Sequence, residues 1–176
     1  FGLVAREFIV LAITAKWLPS AELLQLLVIS GATFPLVSLL SSLVISEGRS
    51  GLYFCITASL GVVEIGLMLL LYPYGIRTMV VAYVLVNIVW LFVWHFFVSR
   101  MVGYSLWQFL KDTMPFALAA LGVMVATHLL TSAISNLWLL LFSRIIIAVL
   151  LYYAIMRVAH VKILQECVNF IFKKKR

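Results

Sequence analysis

The chain has 176 residues, 65% of them hydrophobic and only 11% charged, with a mean hydropathy of +1.19; this excludes a soluble globular domain, in which charged residues make up about 25%. The net charge of +7 does not indicate nucleic acid, because the positive residues fall in short loops and at the C-terminus, where the positive-inside rule puts them. The apolar runs are continuous and about 20 residues long, not alternating segments of about ten, so the composition predicts an all-α integral membrane protein, an antiparallel transmembrane helix bundle, and not a β-barrel.

Residues 1–14 read as the end of a truncated transmembrane helix, interrupted by Arg6-Glu7 and finished before Lys16. Residues 15–100 then carry spans at 21–46, 51–72 and 76–99. The first of these opens on Trp17-Leu18-Pro19-Ser20, with Ser20 placed to cap the orphan amides and Glu22 in the first turn, and it ends at Gly48. Pro35 removes a backbone hydrogen bond in its middle, while Gly31, Pro35, Ser38, Ser42 and Ser46 recur at helical spacing. That small, polar face is expected to form a hinge or shape a cavity.

Residues 101–112 are expected to form a separate cytoplasmic interfacial helix: Ser105-Leu106-Trp107-Gln108 has the spacing of a capping box, and Phe109, Leu110, Lys111 and Asp112 follow before Pro115. Residues 113–159 hold a terminal pair of spans, 113–134 and 137–158. The basic amphipathic tail, 160–176, is apolar at 161, 164, 168 and 171, and its Lys173, Lys174, Lys175 and Arg176 are expected to meet anionic membrane lipids. The loops containing Arg49, Arg100, Lys111, Arg157 and Lys162 share a side with those terminal four; Lys16 and Arg77 lie opposite, with Arg144 near them. The positive-rich side is therefore assigned to the cytoplasm, with Trp17 and Tyr72-Pro73-Tyr74 facing outward and the C-terminus inside.

Few residues can carry chemistry in such a chain. Glu64 lies about thirteen residues into its span and roughly 12 Å from the outer end, where an isolated carboxylate is costly, so it is the candidate for proton or cation coupling. Arg144 lies at similar depth in the last span; it could pair with Glu64, bind a lipid diphosphate or anionic sugar, or snorkel to the interface. Tyr83, Asn87, Trp90 and Trp94 share a helix face that either packs against neighbours or offers rings and an amide to a sugar. His95 and His128 are expected to be interfacial side chains; together with Cys55 and Cys167 they give no metal or disulfide spacing, and no cofactor is expected. No nucleophile or phosphate-loop motif occurs, so the chain does not read as an enzyme.

Lys16-Trp17-Leu18-Pro19-Ser20, Leu23-Leu24-Gln25-Leu26, mid-helix Pro35, Gly48-Arg49-Ser50, the Pro73-Tyr74-Gly75 turn and Gly103-Tyr104-Ser105-Leu106-Trp107 followed by Lys111-Asp112 and Pro115 together resemble bacterial polysaccharide (O-antigen type) flippases of the multidrug/oligosaccharidyl-lipid/polysaccharide exporter superfamily. The resemblance runs over about residues 15–160 and is densest at 16–50 and 103–115. It departs from the family pattern soon after Ser50, where Thr57, Leu60 and Gly61 stand in place of a charged segment. The resemblance implies the C-terminal part of a 14-helix, two-lobe transporter in the bacterial inner membrane, completed by N-terminal helices of the same protein. It also implies movement of a polyprenyl-diphosphate-linked oligosaccharide by alternating access. A cation-coupled multidrug exporter of the same fold and a membrane enzyme of polysaccharide assembly are the alternatives.

Overall fold

The computed structural model describes residues 2–132, 134 and 136–158; the basic tail and its four terminal cations lie outside the described residues. Those residues form helices α1 (Ala5–Ala12), α2 (Pro19–Ser46), α3 (Ser50–Leu71), α4 (Ile76–Val102), α5 (Leu106–Thr131) and α6 (Leu137–Val158), with short 3-10 turns at Ala15–Trp17 and Tyr72–Tyr74. Among them, α2 to α6 are long and apolar enough to cross a membrane, which makes the chain a multi-pass helical membrane protein. It divides into two compact units, Phe1–Lys111 and Asp112–Arg176.

Local chemistry sets the helix ends. Pro19 occupies the first position of α2, where its missing amide has no intrahelical partner to lose, and Leu18 precedes it without a side-chain cap. The expected cap by Ser20 is therefore corrected, because Ser20 already lies inside the helix. At the other end Gly48 adopts φ +74° and donates its N–H to the Ile45 carbonyl, while Arg49 N–H reaches Val44. This left-handed residue reverses the chain into α3 without a Cβ clash. Gly103 does the same after α4, with φ +70° and its N–H on the Ser99 carbonyl. Ser105 and Gln108 then cap α5 reciprocally: Trp107 N–H donates to Ser105 Oγ at 3.3 Å, and Ser105 N–H to Gln108 Oε1 at 3.1 Å.

The capping box does not open a separate interfacial helix. It opens α5 itself, which continues through Pro115 to Thr131. Proline removes one backbone bond from that helix, a loss transmembrane helices tolerate, so the expected break at 112–113 is replaced by continuity. Asn136, read from the sequence only as loop, caps α6 by accepting the N–H of Trp138 at 3.1 Å.

Within the first unit, α2 packs most extensively on α4, and both contact α3. Their turns are short, so sequential neighbours run antiparallel. The buried core, Leu40 and Val44 of α2, Ile56 of α3, and Leu91, Trp94 and Val98 of α4, with Phe109 closing it, gathers towards the Gly48 and Gly103 turns. Between membrane helices such a cluster is held by close van der Waals packing, since lipid is as apolar as the side chains themselves. Towards Trp17 and Tyr74 the described residues of the same helices form no buried cluster of that kind, and there a cleft opens.

Candidate functional site

The cleft, about 440 Å³, is walled by Leu27, Ser30, Gly31, Thr33, Phe34 and Val37 of α2, Leu60 and Glu64 of α3, and Tyr83 and Asn87 of α4. Three predicted candidates, Glu64, Asn87 and Tyr83, thus converge from two helices on one space, and Gly31 joins them from a third. Asn87 organises the polar part. Its Nδ2 donates to Glu64 Oε1 at 2.9 Å and to the Tyr83 carbonyl at 3.0 Å, so both amide hydrogens are committed and Oδ1 remains as an acceptor. The second bond is the i to i−4 contact that one helical turn permits; the first ties α4 to α3. A much smaller space beside it is also lined by Glu64 and Tyr83, with Leu67, Met68, Met79 and Val86.

Pro35 reaches the site through the backbone. It supplies no amide to the carbonyl four residues earlier, which belongs to Gly31, and Gly31 can line the cleft only with backbone atoms. Nearby, Thr33 Oγ1 donates to the Ser30 carbonyl at 2.7 Å. Ser30 and Thr33 were not anticipated as lining residues, because the helical row counted from Gly31 to Ser46 runs along a neighbouring face.

The remaining predicted residues separate from the cleft. Pro35, Ser38, Ser42 and Ser46 line a second, open groove of about 660 Å³ along α2 with Phe34, Leu39 and Leu43. Two of its hydroxyls are turned back on the helix: Ser42 Oγ donates to the Ser38 carbonyl at 2.7 Å and Ser46 Oγ to that of Leu43 at 2.8 Å. Trp90 does not line the cleft; its Nε1 donates to the Ile56 carbonyl at 3.1 Å, and Trp94, 2% exposed, tilts against Tyr53 with ring centroids 5.9 Å apart. The aromatic stripe therefore splits into Tyr83 at the cleft and two tryptophans in helix packing. Trp17, Pro19, Gly48, Arg49 and Ser50, the residues of the family pattern, all lie at helix boundaries. No family model, curated protein or solved structure matches the chain.

Arg144 belongs to the second unit and is only 8% exposed. Its Nε donates to Thr131 Oγ1 at 3.2 Å, and that hydroxyl in turn donates to the Thr127 carbonyl at 2.7 Å. The side chain is thus drawn inward to α5 instead of snorkelling to water. His95 is likewise buried, at 5% exposure, with its ring 5.1 Å from Phe109, which corrects the interfacial placement; His128 is exposed. Two further contacts were not anticipated. Arg77 Nη2 lies 3.8 Å from Glu22 Oε2, joining the first turns of α4 and α2, both side chains well exposed, so the pair is a weak strut. Arg100 sits over the Phe96 ring at 4.4 Å.

Proposed function

We propose that the chain is part of a bacterial inner-membrane flippase that moves a polyprenyl-diphosphate-linked oligosaccharide between leaflets by alternating access. The observation that carries this reading is the convergence of Glu64, Asn87, Tyr83 and the Gly31 backbone on one cleft in the middle of apolar helices. A carboxylate, an amide and a phenol held at membrane depth are what a polar cargo or a coupling ion needs. The resemblance to polysaccharide flippases supplies the cargo. In this reading, which the excess of loop cations on one side supports, the Gly48 and Gly103 turns and the C-terminus are cytoplasmic and the cleft faces the outer half of the bilayer.

In this reading Glu64 couples transport to an ion gradient, and Tyr83 and Asn87 belong to the polar wall. Arg144 braces the terminal helices, and the remaining helices of the same protein complete the path. The test is a deletion strain complemented with the full-length protein. Loss of surface polysaccharide with accumulation of lipid-linked repeat units, restored by wild type and not by Glu64→Gln, is expected. Normal surface polysaccharide in the deletion strain, with loss of resistance to amphipathic cations instead, would transfer the fold to multidrug export.

A further inference from the structure

We infer that the Glu22–Arg77 ion pair is a releasable latch between the first turns of α2 and α4, and that the first half of α2 swings on Pro35 when the latch opens. The latch concerns how the helices close on one another and holds whatever cargo the protein moves. Arg77 stands where two local rules oppose a cation. In the first turn of α4 it meets the positive end of the helix dipole, and it lies on the side of the membrane with few loop cations. The compensation comes from another helix. Arg77 Nη2 lies 3.8 Å from Glu22 Oε2, and Glu22 occupies the first turn of α2, where an acid is favoured.

The two ends of the α2–α4 pair are joined by different means. Towards the Gly48 and Gly103 turns they are clamped by a buried apolar core that includes Leu40, Val44, Leu91, Trp94 and Val98. At the opposite end the tie is polar and open to water, with the Arg77 and Glu22 side chains 78% and 69% exposed. Pro35 stands between the clamped and the latched halves of α2 and removes the backbone bond to the Gly31 carbonyl, so α2 bends there more readily than elsewhere. The cleft wall begins within about two helical turns of the pair, with Leu27 and Ser30 on α2 and Tyr83 on α4. An exposed ion pair adds little stability, and a latch requires that weakness: it biases the closed arrangement and yields without a large barrier.

Ser30, on the cleft wall and 8% exposed, reports the closure. The experiment is the rate at which N-ethylmaleimide labels Ser30→Cys in the purified full-length protein in micelles, with Cys55→Ser, Cys167→Ser and any other cysteine removed. Glu22→Gln and Arg77→Gln are each expected to raise the rate about threefold, the size of effect an exposed ion pair supplies. Arg77→Gln also relieves the unfavourable charge at the start of α4, so it folds at least as well as the parent protein and keeps the test valid if Glu22→Gln is unstable. Exchanging the charges, Glu22→Arg with Arg77→Glu, leaves an acid and a base on the two helix ends and is expected to return the rate to near the parent value. In about 1 M salt the parent rate should rise to that of the single variants, whose own rates stay unchanged. A parent rate in Arg77→Gln, exchanged charges that label as fast as the single variants, or a parent rate indifferent to salt overturns the proposal. The two readings fail separately: latch-dependent labelling without translocation of lipid-linked sugar removes the flippase and leaves the latch, whereas translocation with labelling indifferent to the pair removes the latch and leaves the flippase.

Discussion

The two units treat an intramembrane charge in opposite ways. Glu64 keeps one carboxylate oxygen tied to Asn87 and turns the rest of the site to a cleft of about 440 Å³, whereas Arg144 is 8% exposed and held by a threonine hydroxyl that is itself anchored on α5. A charge beside a cavity can exchange its partner during a transport cycle. A charge enclosed by packing and hydrogen bonds acts as a strut, and removing it leaves buried polar groups behind. Substitutions at Glu64 should therefore act on activity and those at Arg144 on stability.

The largest effect is expected at the cleft. If the proposed flippase reading holds, Glu64→Gln should reduce translocation of lipid-linked sugar about 100-fold, equivalent to roughly 2.7 kcal/mol, while the unfolding midpoint stays near wild type, since Gln Oε1 still accepts from Asn87 Nδ2. Flux measured in proteoliposomes beside thermal unfolding in micelles checks both halves. A variant that lost stability and activity together would place Glu64 with Arg144 as a strut.

The next effect belongs to the second unit. Arg144→Ala should lower stability by about 2 kcal/mol, because a charge-assisted hydrogen bond is lost and the Thr131 hydroxyl, 0% exposed, keeps only its donor bond. Denaturant unfolding of the full-length protein measures this. Arg144→Lys should recover part of it, since an ammonium can still donate to Thr131. If Arg144→Ala unfolds like wild type yet abolishes flux, the arginine acts on substrate and the contrast between the units collapses.

How far the sequence reached follows the same division. Spans, glycine reversals and the capping box at Ser105 were legible because each depends on chemistry within a few residues: an apolar run, a left-handed turn, a side chain returning to its own backbone. Glu64 and Arg144 stood out because charge is rare in such helices. Partners were not legible. That Asn87 and not Trp90 meets the cleft is decided by which turn of α4 faces Glu64 and which faces Ile56, a matter of interhelical register. The small-residue row failed as one feature for a related reason: Gly31 falls on the α3–α4 side, while Ser38 to Ser46 continue around α2 onto open surface. The continuity of α5 through Pro115 was missed because a local rule, proline as helix breaker, yields in apolar surroundings where an unsatisfied backbone costs more than a strained one.

Trp90→Phe probes packing close to the cleft without touching its wall. The indole N–H bonded to the Ile56 carbonyl disappears, but that carbonyl also accepts from Ser59 Oγ at 3.0 Å, so no buried acceptor is orphaned. The expected loss is about 1 kcal/mol of stability, read as a lower unfolding midpoint, with flux nearly unchanged. A large loss of flux at wild-type stability would return Trp90 to the sugar-binding wall.

The smallest effect is expected where the sequence first drew attention. Ser42→Ala and Ser46→Ala remove hydroxyls that donate only to carbonyls within their own helix, at 2.7 and 2.8 Å, and both side chains are exposed. Such back-bonding contributes little, because those carbonyls already serve the helix and the hydroxyl gains no partner on another element. Stability and flux should each change by less than about 0.5 kcal/mol. The prediction is sharp because a polar face inside a membrane span looks functional by composition. If either substitution reduces flux tenfold, this open face of α2 meets cargo or a further helix of the protein, and the path runs along both faces of α2 and not through the Glu64 cleft alone.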